Sequence, residues 1–401
     1  MNPTIRFLIL CIPLLFWYDS YAQSTGIDSV LNKNKTSASN TSFGAYGSFF
    51  MQQDVTESSA SLRIERLMIL FRHRLSNQFS FYAEAGNEHA AVDGGKTAFE
   101  IAQVYLQVHC FKNHALNIGM FYPRMGLIQE NRFPTFYRGT ERNYVETYII
   151  PGTWRHIGIS LAGPLANTKI SYTLSLVNGL SSERFEHNTL IRRGRFETLN
   201  TSANNIALQA SLQYHKNKFM VQWSGYYGGS VALKSRQADS LYLESGWFGT
   251  PVMLSDISLQ YKGKRLQPTL MLCGVSIPDA HALNRAYASN IARMAYGAYA
   301  ELAYIVPDQI TQHRFYNTVL FLRAEALDMH YQIPENGLKD ESLRQQHLVA
   351  GIQIHPIEQV VFKLDTRLSR SGRPYAGLSQ PATTNYWQRH QWIHLGLGFT
   401  F

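Results

Sequence analysis

The chain has 401 residues, of which 13% are aromatic and only 16% charged, with a formal charge of +9 and a slightly negative mean hydropathy. A soluble chain of this length usually divides into two or three domains, and no linker, composition shift or helical period divides this one. After residue 22 no apolar run reaches membrane-helix length, which excludes a helical membrane protein and leaves a soluble β-rich protein or a membrane β-barrel.

At the start, Arg6 precedes an apolar run from Phe7 to Tyr18, and Ser20-Tyr21-Ala22 follows as a small-x-small cleavage site. Residues 1–22 therefore read as a secretory signal peptide. Cys11 follows Leu10, which is too bulky for the usual lipobox. Removing the leader takes away Arg6 and Asp19 and leaves the net charge unchanged. Residues 23–42 are polar and aperiodic and read as a periplasmic tail. Only Cys110 and Cys273 remain after the leader; the topology below puts them at opposite rims, beyond disulfide reach.

From residue 43 to 401, segments of period two alternate with polar connectors, the pattern of strands with one apolar face. Strands are predicted near 43–51, 62–72, 78–88, 98–111, 115–123, 153–162, 169–178 and 204–214, then near 219–232, 251–261, 266–276, 293–305, 315–327, 344–354, 359–368 and 389–401. That makes sixteen, with fourteen to eighteen as the range the pattern allows. Ile206, Leu208, Ala210, Leu212 and Tyr214 share one parity, as do Val360, Phe362, Leu364 and Leu368. The second strand changes parity between Glu65 and Leu67, which predicts a bulge.

Short turns at 73–77, 112–114, 163–168, 215–218, 262–265 and 355–358 alternate with longer segments at 52–61, 89–97, 124–152, 179–203, 233–250, 277–292, 328–343 and 369–388. The connector at 306–314 is longer than its turn class. Short periplasmic turns and long external loops mark an outer-membrane barrel, so the fold class is an all-β, antiparallel, up-and-down transmembrane barrel over 43–401. Sixteen strands leave an aqueous channel rather than a packed core. The inward parity carries Glu84, Gln103, Gln107, Gln222, Glu301, Arg323 and Glu325, and later Lys363, Asp365 and Arg367 beside Gly351 and Gln353. The charged members read equally as wall ion pairs or as a surface that solutes touch.

The longest connector, Arg124 to Gly152, is the third of the long class. Its Phe133, Phe136, Tyr137, Tyr144, Tyr148, Ile149 and Ile150 call for a packing surface, and the inside of the wall supplies one. Arg124, Arg132, Arg138 and Arg142 against Glu130, Glu141 and Glu146 predict a mixed-sign constriction with a mild anion preference. The next long connector adds Arg184, Arg192, Arg193 and Arg195 against Glu183, Glu186 and Glu197. These arginines suit either the pore field or lipopolysaccharide phosphates and solvent.

The run Phe133-Pro134-Thr135-Phe136-Tyr137, then Glu141-Arg142, Val145-Glu146-Thr147 and Ile149-Ile150-Pro151-Gly152-Thr153-Trp154-Arg155 resembles the characteristic block of porins of Bacteroidota and related phyla, often grouped with the phosphate-selective porin O/P-like barrels. The preceding Asn117-Ile118-Gly119-Met120-Phe121-Tyr122-Pro123 resembles their strand before the loop. The likeness covers about forty residues, is architectural elsewhere, and implies a porin without implying a phosphate site.

In the last strand Ile393, Leu395, Leu397, Phe399 and Phe401 share one face, against Trp392, His394, Gly396, Gly398 and Thr400. An apolar strand ending on Phe401 resembles the assembly signal of outer-membrane barrels. His390 and His394 share parity but have no third ligand at short spacing, so neither a metal nor a cofactor is expected. Rival classes are weaker on the residues. A barrel protease, phospholipase or deacylase needs a rim Ser, His or Asp constellation, and no Gly-x-Ser-x-Gly occurs. A plugged receptor or fatty-acid channel needs more chain before the barrel. The expectation is an outer-membrane porin for small polar or anionic solutes. Its partners would be membrane lipid, lipopolysaccharide and the barrel-assembly machinery; it would bind no nucleic acid, and a homotrimer stays open. A barrel enzyme, or a structural or adhesion barrel, is the alternative.

Overall fold

The computed structural model describes residues 40–88, 99–111, 113–196, 201–307, 310, 315–374 and 389–401. The expected leader, nearly all of the tail, the connector at 89–97 and most of that at 369–388 lie outside the described residues. Sixteen strands are present among them: β1 (Thr41–Asp54), β2 (Ser59–Arg74), β3 (Phe79–Glu88), β4 (Glu100–Phe111), β5 (His114–Phe121), β6 (His156–Pro164), β7 (Ile170–Asn178) and β8 (Ile206–Lys216) in the first half. The second half holds β9 (Phe219–Gly229), β10 (Pro251–Tyr261), β11 (Leu266–Ser276), β12 (Met294–Ile305), β13 (Asn317–Gln332), β14 (Arg344–Ile357), β15 (Val360–Ser371) and β16 (Arg389–Thr400). Each strand pairs antiparallel with its chain neighbours, and β1 closes on β16 from Tyr46↔Thr400 to Asp54↔Trp392. Closure removes every sheet edge, as a barrel in lipid requires.

The side-chain period of two sorts the wall into two faces. Leu208, Leu212, Phe362 and Leu364 point outward and are exposed, while their neighbours Gln209, Gln213, Lys363 and Asp365 point inward and are buried. The parity change in the second strand is a bulge: Ser48 pairs with Arg66 and Phe49 with Ile64, so Glu65 is the extra residue of the ladder. Exposed aromatics gather at two levels. Tyr227, Tyr296 and Tyr331 stand near the long-connector rim; Tyr214, Phe219 and Tyr304 stand near the short-turn rim. Two such belts bracket the apolar band of a membrane barrel.

Several boundaries differ from the pattern. β1 starts at Thr41 and takes two residues from the expected tail. The connector expected at 52–61 shrinks to residues 55–58, because Gln53 and Asp54 continue the ladder with Ala60 and Ser59. β13 runs on to Gln332, and β6 starts only at His156, so Thr153, Trp154 and Arg155 join the preceding connector. Cys110 is exposed near the short-turn rim, Cys273 is buried in β11, and both are free thiols.

The main buried cluster lies inside the barrel rather than between sheets. It joins Tyr46, Met68, Tyr82, Tyr105, Tyr299 and Leu327 of the wall to Phe133, Val145, Ile149 and Trp154 of the connector between β5 and β6. Leu180, Phe185, Leu190 and Ile191, from the connector between β7 and β8, join it, as do Val231, Ala238 and Leu243 after β9 and Ile277, Leu283 and Ile291 after β11.

Candidate functional site in the barrel lumen

The connector over residues 124–152, hereafter loop 3, makes a circuit of the inner wall. Its first stretch lies on β8, β9 and β10. Gln209 donates to the Arg124 carbonyl at 2.6 Å and Gln222 to the Gly126 carbonyl at 2.8 Å, while the Gly126 N–H donates to Asp256 at 3.2 Å. Arg124 pairs with Glu130 at 2.5 Å, and Gln213 donates to the same carboxylate at 2.9 Å. Gly126 has φ +63°, and an added Cβ would sit 2.5 Å from Glu146, so a side chain is barred there on both counts.

The middle stretch crosses to the opposite side. Arg132 pairs with Glu84 of β3 at 2.6 Å, between the rings of Tyr122 and Phe133, and Arg66 of β2 donates to the Arg132 carbonyl at 3.3 Å. Burial lowers the Arg132 guanidinium, but Glu84 more than offsets this and holds it above its ordinary value. Phe133 meets Tyr46 of β1 edge-on with centroids 4.8 Å apart. On β16 the inward positions include Gly396 and Gly398. Their ideal Cβ positions lie 2.9 Å from Thr140 Cγ2 and 2.7 Å from Pro134 Cβ, so only glycine lets loop 3 come this close.

The last stretch lies on β11 to β15. Lys363 donates to the carbonyls of Tyr137 and Gly139 at 3.0 and 2.8 Å, and Gln353 also donates to the Tyr137 carbonyl. Asp365 accepts from the Thr140 N–H at 2.6 Å and meets His394 at 2.9 Å. Glu325 accepts from the Tyr144 N–H at 2.6 Å. Arg138 bonds Gln267 and lies 3.5 Å from Glu301.

Two groups hold the circuit together. The first is Glu146, in the π-helical turn Val145–Ile149. It is 1% exposed and accepts from the N–H groups of Leu127 and Ile128, from Asn143 and from the Tyr299 hydroxyl, at 2.7 to 2.9 Å. One carboxylate thus ties the start of loop 3 to its end and to β12. Burial raises its pKa above the ordinary range, and the four donors reverse this only in part. The second is an ion-pair network. Arg323 pairs with Glu301 at 3.2 Å and Glu325 at 2.7 Å, while Arg367 lies 3.7 Å from Glu325 and 3.6 Å from Glu141. Ions this buried are stable only when paired and hydrogen-bonded.

The seven expected constriction residues are thus on one loop, and the seven expected wall residues all point at it. Arg142 bonds the Arg132 carbonyl within the loop and the Thr153 hydroxyl just after it. Phe401 faces outward, its N–H bonded to the Ala45 carbonyl. In the connector between β7 and β8, Arg195 donates to the Pro151 carbonyl at 2.9 Å and Arg192 covers the Tyr148 ring. Those two arginines brace loop 3; Arg193 stays exposed with Glu186. Sequence pattern alone did not single out Arg66, Asp256, Gln267 or Tyr299 as contacts of the loop. Their one legible mark was a polar tip at an inward position.

No family model matches the chain. An uncharacterized protein of Aquifex aeolicus (strain VF5) is 28% identical over 171 residues, 42% of this chain, and the chain spans 39% of that protein's length. Among solved structures, the outer membrane channel DcaP of Acinetobacter baumannii has a TM-score of 0.57 at 11% identity, over 92% of this chain and 99% of that one. The Salmonella typhi OmpF complex with daunomycin has a TM-score of 0.55 at 9% identity, over 90% and 97%. An anion-selective porin from Comamonas acidovorans has a TM-score of 0.52 at 9% identity, over 90% and 100%. The fold is porin-like. Barrels of several kinds share this likeness, which does not single out the phosphate-selective porin O/P-like group.

Proposed function

We propose that the chain is an outer-membrane porin of the Bacteroidota type, passing small polar solutes by diffusion through a lumen that loop 3 narrows. The observation that carries this is the circuit itself. A closed sixteen-strand wall of this size encloses an aqueous channel, and loop 3 is bonded to Gln222 on one side and to Glu84 on the other. Long connectors then face outside and short turns the periplasm. Of the fourteen charged residues expected on loop and wall, seven are basic and seven acidic, most held in pairs, and Arg66 and Asp256 on the wall add one of each sign. The field on a passing ion is therefore weak, and the one-arginine excess of loop 3 leaves a mild anion preference. Phe401 serves assembly in this reading.

A second reading rests on the loop touching both sides of the lumen: a barrel closed at rest, opened when loop 3 leaves the wall. Planar-bilayer recordings separate the two. An open porin gives stepwise conductance with a reversal potential slightly favouring anions. A closed one is silent until residues 130–147 are replaced by a short Gly/Ser linker. Silence of both proteins, each folded, would overturn the channel and leave an enzyme or a structural barrel. Strong cation selectivity would reassign the lining to Glu84, Glu301 and Glu325.

A further inference from the structure

We propose that the outer wall carries a binding groove for an acylated, phosphorylated glycolipid of the lipid A type; this rests on the reading of the chain as an outer-membrane barrel. The lipid-facing side between β9 and β16 is indented by a groove of about 1290 Å³. Its floor is formed where Ala298 pairs with Ala326 and Ala300 with Ala324, between leucines on β11 and β14. The floor is thus lower than the flanking wall by most of a leucine side chain, a shape that suits acyl chains.

The groove also has a direction. Leu272, Ala298, Ala326, Gln346, Arg370 and Arg389 are successive partners across five ladders. Barrel strands tilt by roughly 35–45°, so a row running across them climbs from mid-wall to the rim. It ends at the first residue of β16, on the long-connector side. There Arg370 and Arg389 line the groove, and Arg344 shares with Arg370 an adjoining dip of about 330 Å³ that Glu341 also borders. Among the described residues none of these three arginines is ion-paired with a carboxylate.

An apolar trough ending in three guanidinium groups complements an amphiphile with an anionic head, and guanidinium binds phosphate in a two-pronged fit. The long-connector level places those heads in the outer leaflet. At roughly 4.8 Å per strand, the row from β10 to β16 is about 30 Å long, more than one pair of acyl chains covers side by side. Several chains on a doubly phosphorylated head match both the length and the three arginines.

The test uses the folded full chain in detergent, with closure checked by heat-modifiable mobility and lipid retention read by native mass spectrometry. Wild type should hold one lipid A molecule in preference to phosphatidylglycerol. Arg344→Gln with Arg370→Gln and Arg389→Gln should weaken retention about tenfold or more. Ala300→Phe with Ala324→Phe, which fills the floor and keeps every charge, should do the same. Retention unchanged in both variants, or equal binding of phosphatidylglycerol, would overturn the site. Bilayer conductance is read separately. A silent barrel that holds lipid A refutes only the channel, and a conducting barrel without that preference refutes only the groove.

Discussion

Two long connectors with similar aromatic content settle differently. Loop 3 buries Phe133, Val145, Ile149 and Ile150 completely inside the barrel. The connector over residues 230–250 buries Val231, Ala238 and Leu243 in the same cluster but leaves Tyr242 80% and Trp247 68% exposed. Apolar content alone therefore does not draw a loop into the lumen. Loop 3 differs in that its polar groups find matched partners on the wall: Arg132 meets Glu84, the Thr140 N–H meets Asp365, and the Tyr137 carbonyl meets Lys363 and Gln353. A buried loop must satisfy its backbone as well as bury its rings. The other connector bonds mainly to its own neighbours, as where Thr250 bonds the Glu244 carbonyl.

The contrast is broken most sharply by deletion. Replacing residues 130–147 with a Gly/Ser linker should raise single-channel conductance several-fold, whereas replacing residues 235–247 should barely change it. Equal effects would show that both connectors share the lumen. Next in size is the contrast between their acids. Glu84→Ala leaves Arg132 buried without its counter-ion and should cost about 3–5 kcal/mol, while Glu244→Ala on the exposed connector should stay within about 0.5 kcal/mol. Urea unfolding of both variants in micelles decides this, and a mild Glu84 variant would argue that loop 3 is loosely held. The smallest effect concerns selectivity. Arg138→Gln removes one positive charge, yet Glu301 keeps Arg323 at 3.2 Å. The reversal potential should thus move only slightly towards cations, and a large shift would mean that Arg138 alone sets the field.

Much of the wall was legible because burial on one face writes a period of two into each strand, down to the bulge at Glu65. The inward charges Arg323, Glu325, Lys363, Asp365 and Arg367 could be read from the same parity. Strand ends could not, since the ladder of β1 and β2 extends through the polar residues Gln53, Asp54 and Ser59, which carry no alternation. The site was legible as a set of residues but not as pairs. Arg132 meets Glu84 from 48 residues away and Thr140 meets Asp365 from 225, and no local pattern reports a partner at that range. Gly396 and Gly398 did carry a mark. Two glycines on the inward face of an otherwise bulky strand announce a close approach from inside, though not by which segment.

The central claim, that loop 3 is docked on the inner wall, is tested most directly by a covalent link. The ideal Cβ of Gly396 lies 3.5 Å from the Cβ of Thr140, within the usual range for a disulfide. Thr140→Cys with Gly396→Cys, in a chain whose Cys110 and Cys273 are serine, should oxidise spontaneously. The joined peptides should then appear in a non-reducing digest. A folded barrel in which both thiols stay free, with Cys at 140 open to an impermeant maleimide from outside, would contradict the account.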